Sequence, residues 1–139
     1  MAGNIARRVW WSVPVAVVAV VAAVSRISYT FDVKNKVCAE DFESAARSVS
    51  GVVTADFTCT SSFGNSHKGG RVTLDAETEE DSVALMESVL RAYAETDMRD
   101  ATSPYVHYVS EDGTIAVVPT HAGFNGTPSL GQIREHYGL

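Results

Sequence analysis

From residue 9 to residue 24 the chain is apolar except for Ser12 and Pro14, with Arg7 and Arg8 just before the run and Arg26 just after it. A basic start ahead of an apolar stretch predicts a helix that either anchors the chain in a membrane or serves as an export signal, and the small residues around Ser25 leave room for cleavage there. Sixteen residues as a helix span roughly 24 Å, short of the roughly 30 Å hydrocarbon core of a bilayer. Trp10 and Trp11 at the interface and a snorkelling Arg26 make up the difference for an uncleaved anchor. Arg7 and Arg8 then predict a cytoplasmic N-terminus, with everything after the run outside.

The pattern changes at residue 26. Ile27, Tyr29, Phe31 and Val33 alternate with Ser28, Thr30 and Asp32, the period of a half-buried strand. Residues 39–49 switch to a helical stripe of Phe42, Ala45, Ala46 and Val49, with Glu40, Asp41 and Glu43 in the first turn, and Gly51 ends it. Residues 52–59 and 71–76 alternate again and predict a hairpin. The polar stretch 60–70, rich in Ser, Gly and Asn, predicts a long exposed loop between them. Thr78 with Asp81 caps a second helix reaching about residue 96, whose Val83, Met86, Leu90 and Tyr93 share one face. Residues 105–109 and 114–118 read as strands joined through Asp112-Gly113, a hairpin signal. Near the C-terminus Thr127-Pro128 predicts the start of a short helix carrying Leu130, Ile133 and Tyr137, stopped by Gly138.

Strand, helix, strand, strand, helix, strand, with one added strand, is the order of a ferredoxin-like split βαβ fold, an α+β class. The expected division is an anchor or signal over 1–25, a ferredoxin-like domain over 26–119 and a tail with a short helix over 120–139. In that arrangement both helices cover one face of an antiparallel sheet and the Thr- and Asp-rich face stays bare. Many unrelated proteins share this order, so it carries no activity by itself.

Charge narrows the partners. Arg7 and Arg8 are the only charges before Arg26, so beyond the apolar run nine Lys and Arg stand against seventeen Asp and Glu, a formal charge of −8. Nucleic acid is not an expected partner, because phosphate binding is built on a Lys and Arg excess. The two cysteines, Cys38 and Cys59, fall in the part expected to be exported, where a disulfide is permitted. The expected strand order brings both to one sheet edge, so they are predicted to pair.

Chemistry-bearing groups are sparse. His67, His107, His121 and His136 are scattered without the spacing that places two ligands on one helix face, and no metal or other cofactor is expected. Asp32, Asp56 and Asp75 are predicted on the bare sheet face, where a solvated polar surface accounts for them better than a paired-carboxylate site. Ser61, Ser62 and Ser66 near His67 fall in the predicted loop, which is too loose to hold a nucleophile.

The expected function is therefore that of a membrane-anchored, or after cleavage near Ser25 secreted, extracytoplasmic module. It acts by contact with an envelope protein and not as an enzyme. Phe124, Leu130, Ile133 and Tyr137 are the candidate contact residues, since the predicted core does not need them. The alternative is a small extracytoplasmic ligand-binding protein or enzyme using Tyr105, His107, Tyr108 and His121.

Overall fold

A computed structural model of the chain describes residues 5–62, 64–98 and 101–139, and within these the side chains of all but residues 5–16 and 28. The described residues form a mixed α+β structure with one four-stranded sheet. In chain order the elements are α1 (Ile5–Arg47), β1 (Val52–Ser62), β2 (Asn65–Leu74), α2 (Glu79–Ala94), β3 (Tyr105–Ser110), β4 (Ala116–Val117), a 3₁₀ turn at Pro119–Ala122 and α3 (Leu130–Tyr137). Two compact units divide the chain, Met1–Lys34 and Asn35–Leu139.

The predicted strand over 26–33 is helix, and with it goes the ferredoxin-like order. No Gly or Pro interrupts the sequence between residue 15 and Gly51. A helix already started in the apolar run propagates at far lower cost than a new element nucleates. Ser25 and Thr30 are accommodated by donating their hydroxyls to the carbonyls four residues back, Val21 and Arg26, each at 2.8 Å. The sheet order is β1-β2-β3-β4, antiparallel at both hairpins and parallel between β2 and β3, where α2 makes the crossover.

The predicted loop over 60–70 is also strand. After a register shift between Val52 and Thr54, β1 and β2 pair continuously from Thr54 out to Ser62 and Asn65, leaving two residues between them, and Gly64 adopts φ +88°. Both sides of this outer part are exposed, so its residues are polar on both sides and show no hydrophobic alternation. Nearer the core the alternation is sharp, with Ala55, Phe57, Cys59, Val72 and Leu74 buried and Thr54, Asp56, Thr58 and Arg71 outside. Gly70 faces inward where a Cβ would lie 2.6 Å from the Phe57 ring and 2.7 Å from the Asp56 carbonyl, so β2 can pass only as glycine.

One face of the sheet carries the core. Phe42, Phe57 and Tyr93 interlock there, with Phe42 and Tyr93 edge to face at 5.2 Å between centroids. Cys38 and Cys59 are joined, their Cα atoms 6.1 Å apart, tying α1 to β1. The last turns of α1 also cover the free edge of β1: Arg47 Nη2 donates to the Ala55 carbonyl at 2.8 Å, and Glu43 Oε1 accepts the Phe57 N–H at 3.2 Å. A bare strand edge invites pairing with another chain, and these two side chains occupy that position.

The Tyr93 hydroxyl is buried without a hydrogen-bond partner. The Tyr108 hydroxyl lies near enough to influence its titration, yet no bond of ordinary geometry joins them. Burial, first, holds both hydroxyls well above the usual tyrosine range. An unpartnered buried hydroxyl contributes nothing to offset its desolvation. Tyr93→Phe is therefore expected to leave the urea midpoint unchanged or raise stability by up to about 1 kcal/mol; a loss of that size would show that the hydroxyl is bonded.

In the β3–β4 turn, Asp112 Oδ1 accepts from the Ser110 hydroxyl at 2.7 Å, the Thr114 N–H at 3.0 Å and the Thr114 hydroxyl at 2.8 Å, while Gly113 takes φ +73°. These bonds, the Ser110 hydroxyl first, lower the Asp112 carboxyl to about 2. A depressed folded-state value means that the stabilisation is present above the unfolded value near 4 and is lost as pH falls through about 2. In Asp112→Asn, stability is expected to fall less steeply between about pH 4 and 2 than in the parent. Denaturant midpoints across that range measure the slope, and equal slopes would remove Asp112 as the cause.

Candidate functional site

Since only one face of the sheet is packed, the other presents a surface built from the outward residues of three strands. Register places Asp56, Arg71 and His107 in one row across β1, β2 and β3, and Thr58, Gly69 and Tyr105 in the next. Thr54 donates its hydroxyl to that of Thr73 at 2.9 Å on the same face. Tyr105 and His107 stand edge to face with ring centroids 5.1 Å apart, and Tyr105 remains 53% exposed.

β2 begins before β3 does. Gly69 pairs with Tyr105, so residues 66–68 extend past the start of β3. The gap beside this overhang is a hollow of 270 Å³ lined by Ser66, His67, Lys68, Thr102, Tyr105 and Thr127, with Ser103 at its base. Lys68 Nζ donates to the Thr102 carbonyl at 3.4 Å and lies 6.0 Å from the centre of the Phe42 ring. The Ser103 hydroxyl is buried and committed to the Pro128 carbonyl at 2.7 Å. Among the described residues no carboxylate lines the hollow.

No family model and no curated protein matches this chain.

The sequence-predicted site residues divide. Tyr105 and His107 meet on the open face, but Tyr108 points to the other side of the sheet, buried in the core near Tyr93. His121 sits on the 3₁₀ turn, where its Nδ1 accepts the Val118 N–H at 3.1 Å. These four residues are therefore not one group. Of the predicted acidic trio, Asp56 is on the open face, Asp32 is in α1, and Asp75 follows β2 with its N–H donated to the Gly51 carbonyl at 2.8 Å. Among the described residues no cluster of three or more His, Cys, Asp and Glu side chains is placed to hold a metal ion.

The tail is tied into the core. Leu130 and Ile133 are fully buried, so their apolar surface is used in folding and not presented to a partner. Ser129, not Thr127, caps α3, in a reciprocal pair with Gln132 at 2.8 and 3.1 Å. Arg134 reaches the end of α2, its Nε donating to the Ala94 carbonyl at 2.9 Å and Nη2 to those of Thr96 and Met98 at 3.3 Å, which satisfies acceptors a helix end leaves open. Phe124 and Tyr137 stay half-buried, 6.0 Å apart between centroids. Arg91 lies over the Tyr137 ring at 4.4 Å and Glu87 accepts its hydroxyl at 3.0 Å. Burial and the Glu87 carboxylate raise that hydroxyl's pKa.

Ser66 and His67 are set aside as a site in the sequence, and Lys68 is passed over, because the polar stretch reads as loop. The alternation of Thr54, Asp56, Thr58 and Thr60 with Ala55, Phe57 and Cys59 stops at Ser61, so the hydrophobic pattern carries no signal for the outer part of the hairpin.

Proposed function

We propose that the chain is a membrane-anchored extracytoplasmic module that works by contact with another envelope protein and not by catalysis, through the open face of its sheet. The observation that carries this reading is the one-sided sheet. A regular row of Asp56, Arg71 and His107 and a second of Thr58 and Tyr105 lie exposed across three strands, opposite a face fully committed to the core. Rows of mixed polar and aromatic groups on rigid strands suit recognition, because their positions are fixed before binding.

The anchor rests on α1. Val17, Val18, Val20 and Val21 are 57–67% exposed, and the alanines among them are exposed too, so residues 17–23 form an apolar surface around the helix. Such a helix is favoured in hydrocarbon and disfavoured in water. Among the described residues no helix is long and apolar enough to cross a membrane, and the roles expected of Arg7, Arg8, Trp10 and Trp11 lie outside the described side chains. Export also agrees with the disulfide, since oxidising compartments are where such bonds persist.

Two measurements test the reading. Protease added to intact cells or spheroplasts is expected to remove a C-terminal tag, and a protected tag would reverse the topology. A photo-crosslinking residue at Thr58 or His107 is expected to give a defined protein adduct in cells, while one at Glu80 on the exposed side of α2 gives none. Equal adducts from both faces would remove the open face as the contact surface.

A further inference from the structure

We propose that Asn125 is a site of spontaneous covalent modification, where the Gly126 nitrogen displaces the side-chain amide and water completes the conversion to a mixture of aspartate and isoaspartate. This goes beyond the contact reading and does not depend on it, since the reaction needs only this chain and water.

The step balances within the loop. The Gly126 nitrogen gives up its proton to solvent base and attacks Cγ of Asn125. A C–N bond forms, the side-chain nitrogen leaves as ammonia and a cyclic succinimide remains. Water then opens the ring at one carbonyl or the other, leaving an α-linked aspartate or a β-linked isoaspartate. Such a step needs an uncrowded nitrogen after the asparagine, an N–H that nothing holds, and a side chain free to swing. Asn125 meets all three. The residue after it is glycine, at φ +92° and with nothing within 4 Å of where a Cβ would stand. Asn125 and Gly126 are both exposed, and among the described residues neither the Asn125 side chain nor the Gly126 N–H has a hydrogen-bond partner. The neighbours on either side are held: the Phe124 N–H donates to the Pro119 carbonyl at 3.3 Å, and the Pro128 carbonyl accepts the Ser103 hydroxyl at 2.7 Å.

The same requirements rule out the other described asparagines. Asn35 lies inside α1, and its Oδ1 accepts the Ser61 hydroxyl at 2.7 Å. Asn65 pairs with Ser62 in the ladder and is followed by serine. The related Asp112-Gly113 pair has an equally uncrowded nitrogen, but the Gly113 N–H donates to the Ser110 carbonyl at 2.9 Å and Asp112 Oδ1 is occupied by Ser110 and Thr114. The fold thus guards one pair ending in glycine and leaves the other open. Each conversion adds a negative charge, and the β-linked form lengthens the backbone beside Phe124, whose ring meets that of His136 at 4.5 Å.

The test holds the full chain in detergent in mildly alkaline buffer made with heavy-oxygen water, both native and unfolded in guanidinium, and maps the peptides by mass after acid proteolysis. In the native chain residue 125 is expected to take up heavy oxygen, as both aspartate and isoaspartate, at least about tenfold faster than Asn35 or Asn65. Folding is expected to slow residue 125 by less than about tenfold and Asp112 by more than that. Gly126→Ala, which crowds the attacking nitrogen, should slow the native conversion about tenfold, with parent-like amide spectra elsewhere showing that the variant is folded. No conversion of residue 125 in the native chain would overturn the proposal, and so would a slowing by folding equal to that of Asp112. Aspartate without isoaspartate, at a rate indifferent to Gly126→Ala, would mean direct attack of water on the side chain and would overturn it too. Crosslinks from Thr58 and His107 report on the contact reading alone, so the two fail separately.

Discussion

Replacing Phe42 by alanine is expected to cost the folded unit about 3–5 kcal/mol, the range for emptying a buried aromatic position. The ring is fully buried, meets Tyr93 edge to face at 5.2 Å and Phe57 at 6.0 Å, and supplies α1's largest contribution to the core. A domain of this size has about 5–15 kcal/mol in total, so the loss removes about a fifth of its stability or more. Phe42→Leu, which leaves a smaller cavity, should cost less than half as much. Urea unfolding of the full chain in detergent, followed by near-ultraviolet circular dichroism from the aromatic cluster, measures both. A Phe42→Ala midpoint within about 1 kcal/mol of the parent would mean that α1 does not cover the sheet as described.

The same residue shows how far the sequence could be read. Phe42 and Ala46 fall on a helical stripe that is plain without a structure, and so do Met86, Leu90 and Tyr93 in α2 and Leu130 and Ile133 in α3. The caps at Thr78 and Gly138 were equally legible because their chemistry is local. Residues 26–33 were not. Ile27, Tyr29, Phe31 and Val33 fit a period of two, yet Phe31, Asn35, Cys38 and Phe42 recur at four, three and four, which is a helix. Eight residues cannot separate the two periods. What decides between them is the uninterrupted run from the apolar stretch to Gly51, a property of a much longer window. With that first strand removed, β1 becomes an edge and the sheet turns from interleaved to sequential.

The candidate site was hidden for a different reason. Strand residues exposed on both sides have no hydrophobic pattern to display, so Ser66 and His67 resemble a loop by composition although the ladder from Thr60↔His67 to Ser62↔Asn65 holds them. The tail misled in the opposite sense. Leu130 and Ile133 looked surplus only because the core was counted with a strand it does not contain, and in the actual fold they pack where α2 needs cover.

Reducing the Cys38–Cys59 bond is expected to destabilise the folded unit by about 3 kcal/mol. The bond closes a separation of 21 residues, and the chain-entropy cost of leaving a loop of that length open has this magnitude. Its position makes the effect larger in consequence than in energy. Cys38 lies one helical turn before Phe42 and Cys59 two residues after Phe57, so the bond fixes α1 against β1 beside the aromatic contact. Nearby, Glu43 and Arg47 hold the edge of β1 from the same helix. Reduction should therefore free the edge as well as lower the midpoint, and the reduced protein should associate through β1 at urea concentrations where the oxidised form stays monomeric. Denaturant midpoints with and without reductant, paired with light scattering, measure the two effects together. Cys38→Ala/Cys59→Ala should reproduce the reduced protein in both. If the midpoint moves by less than about 1 kcal/mol, α1 is held by packing alone; if it moves without association, the edge is guarded by Glu43 and Arg47 independently of the bond.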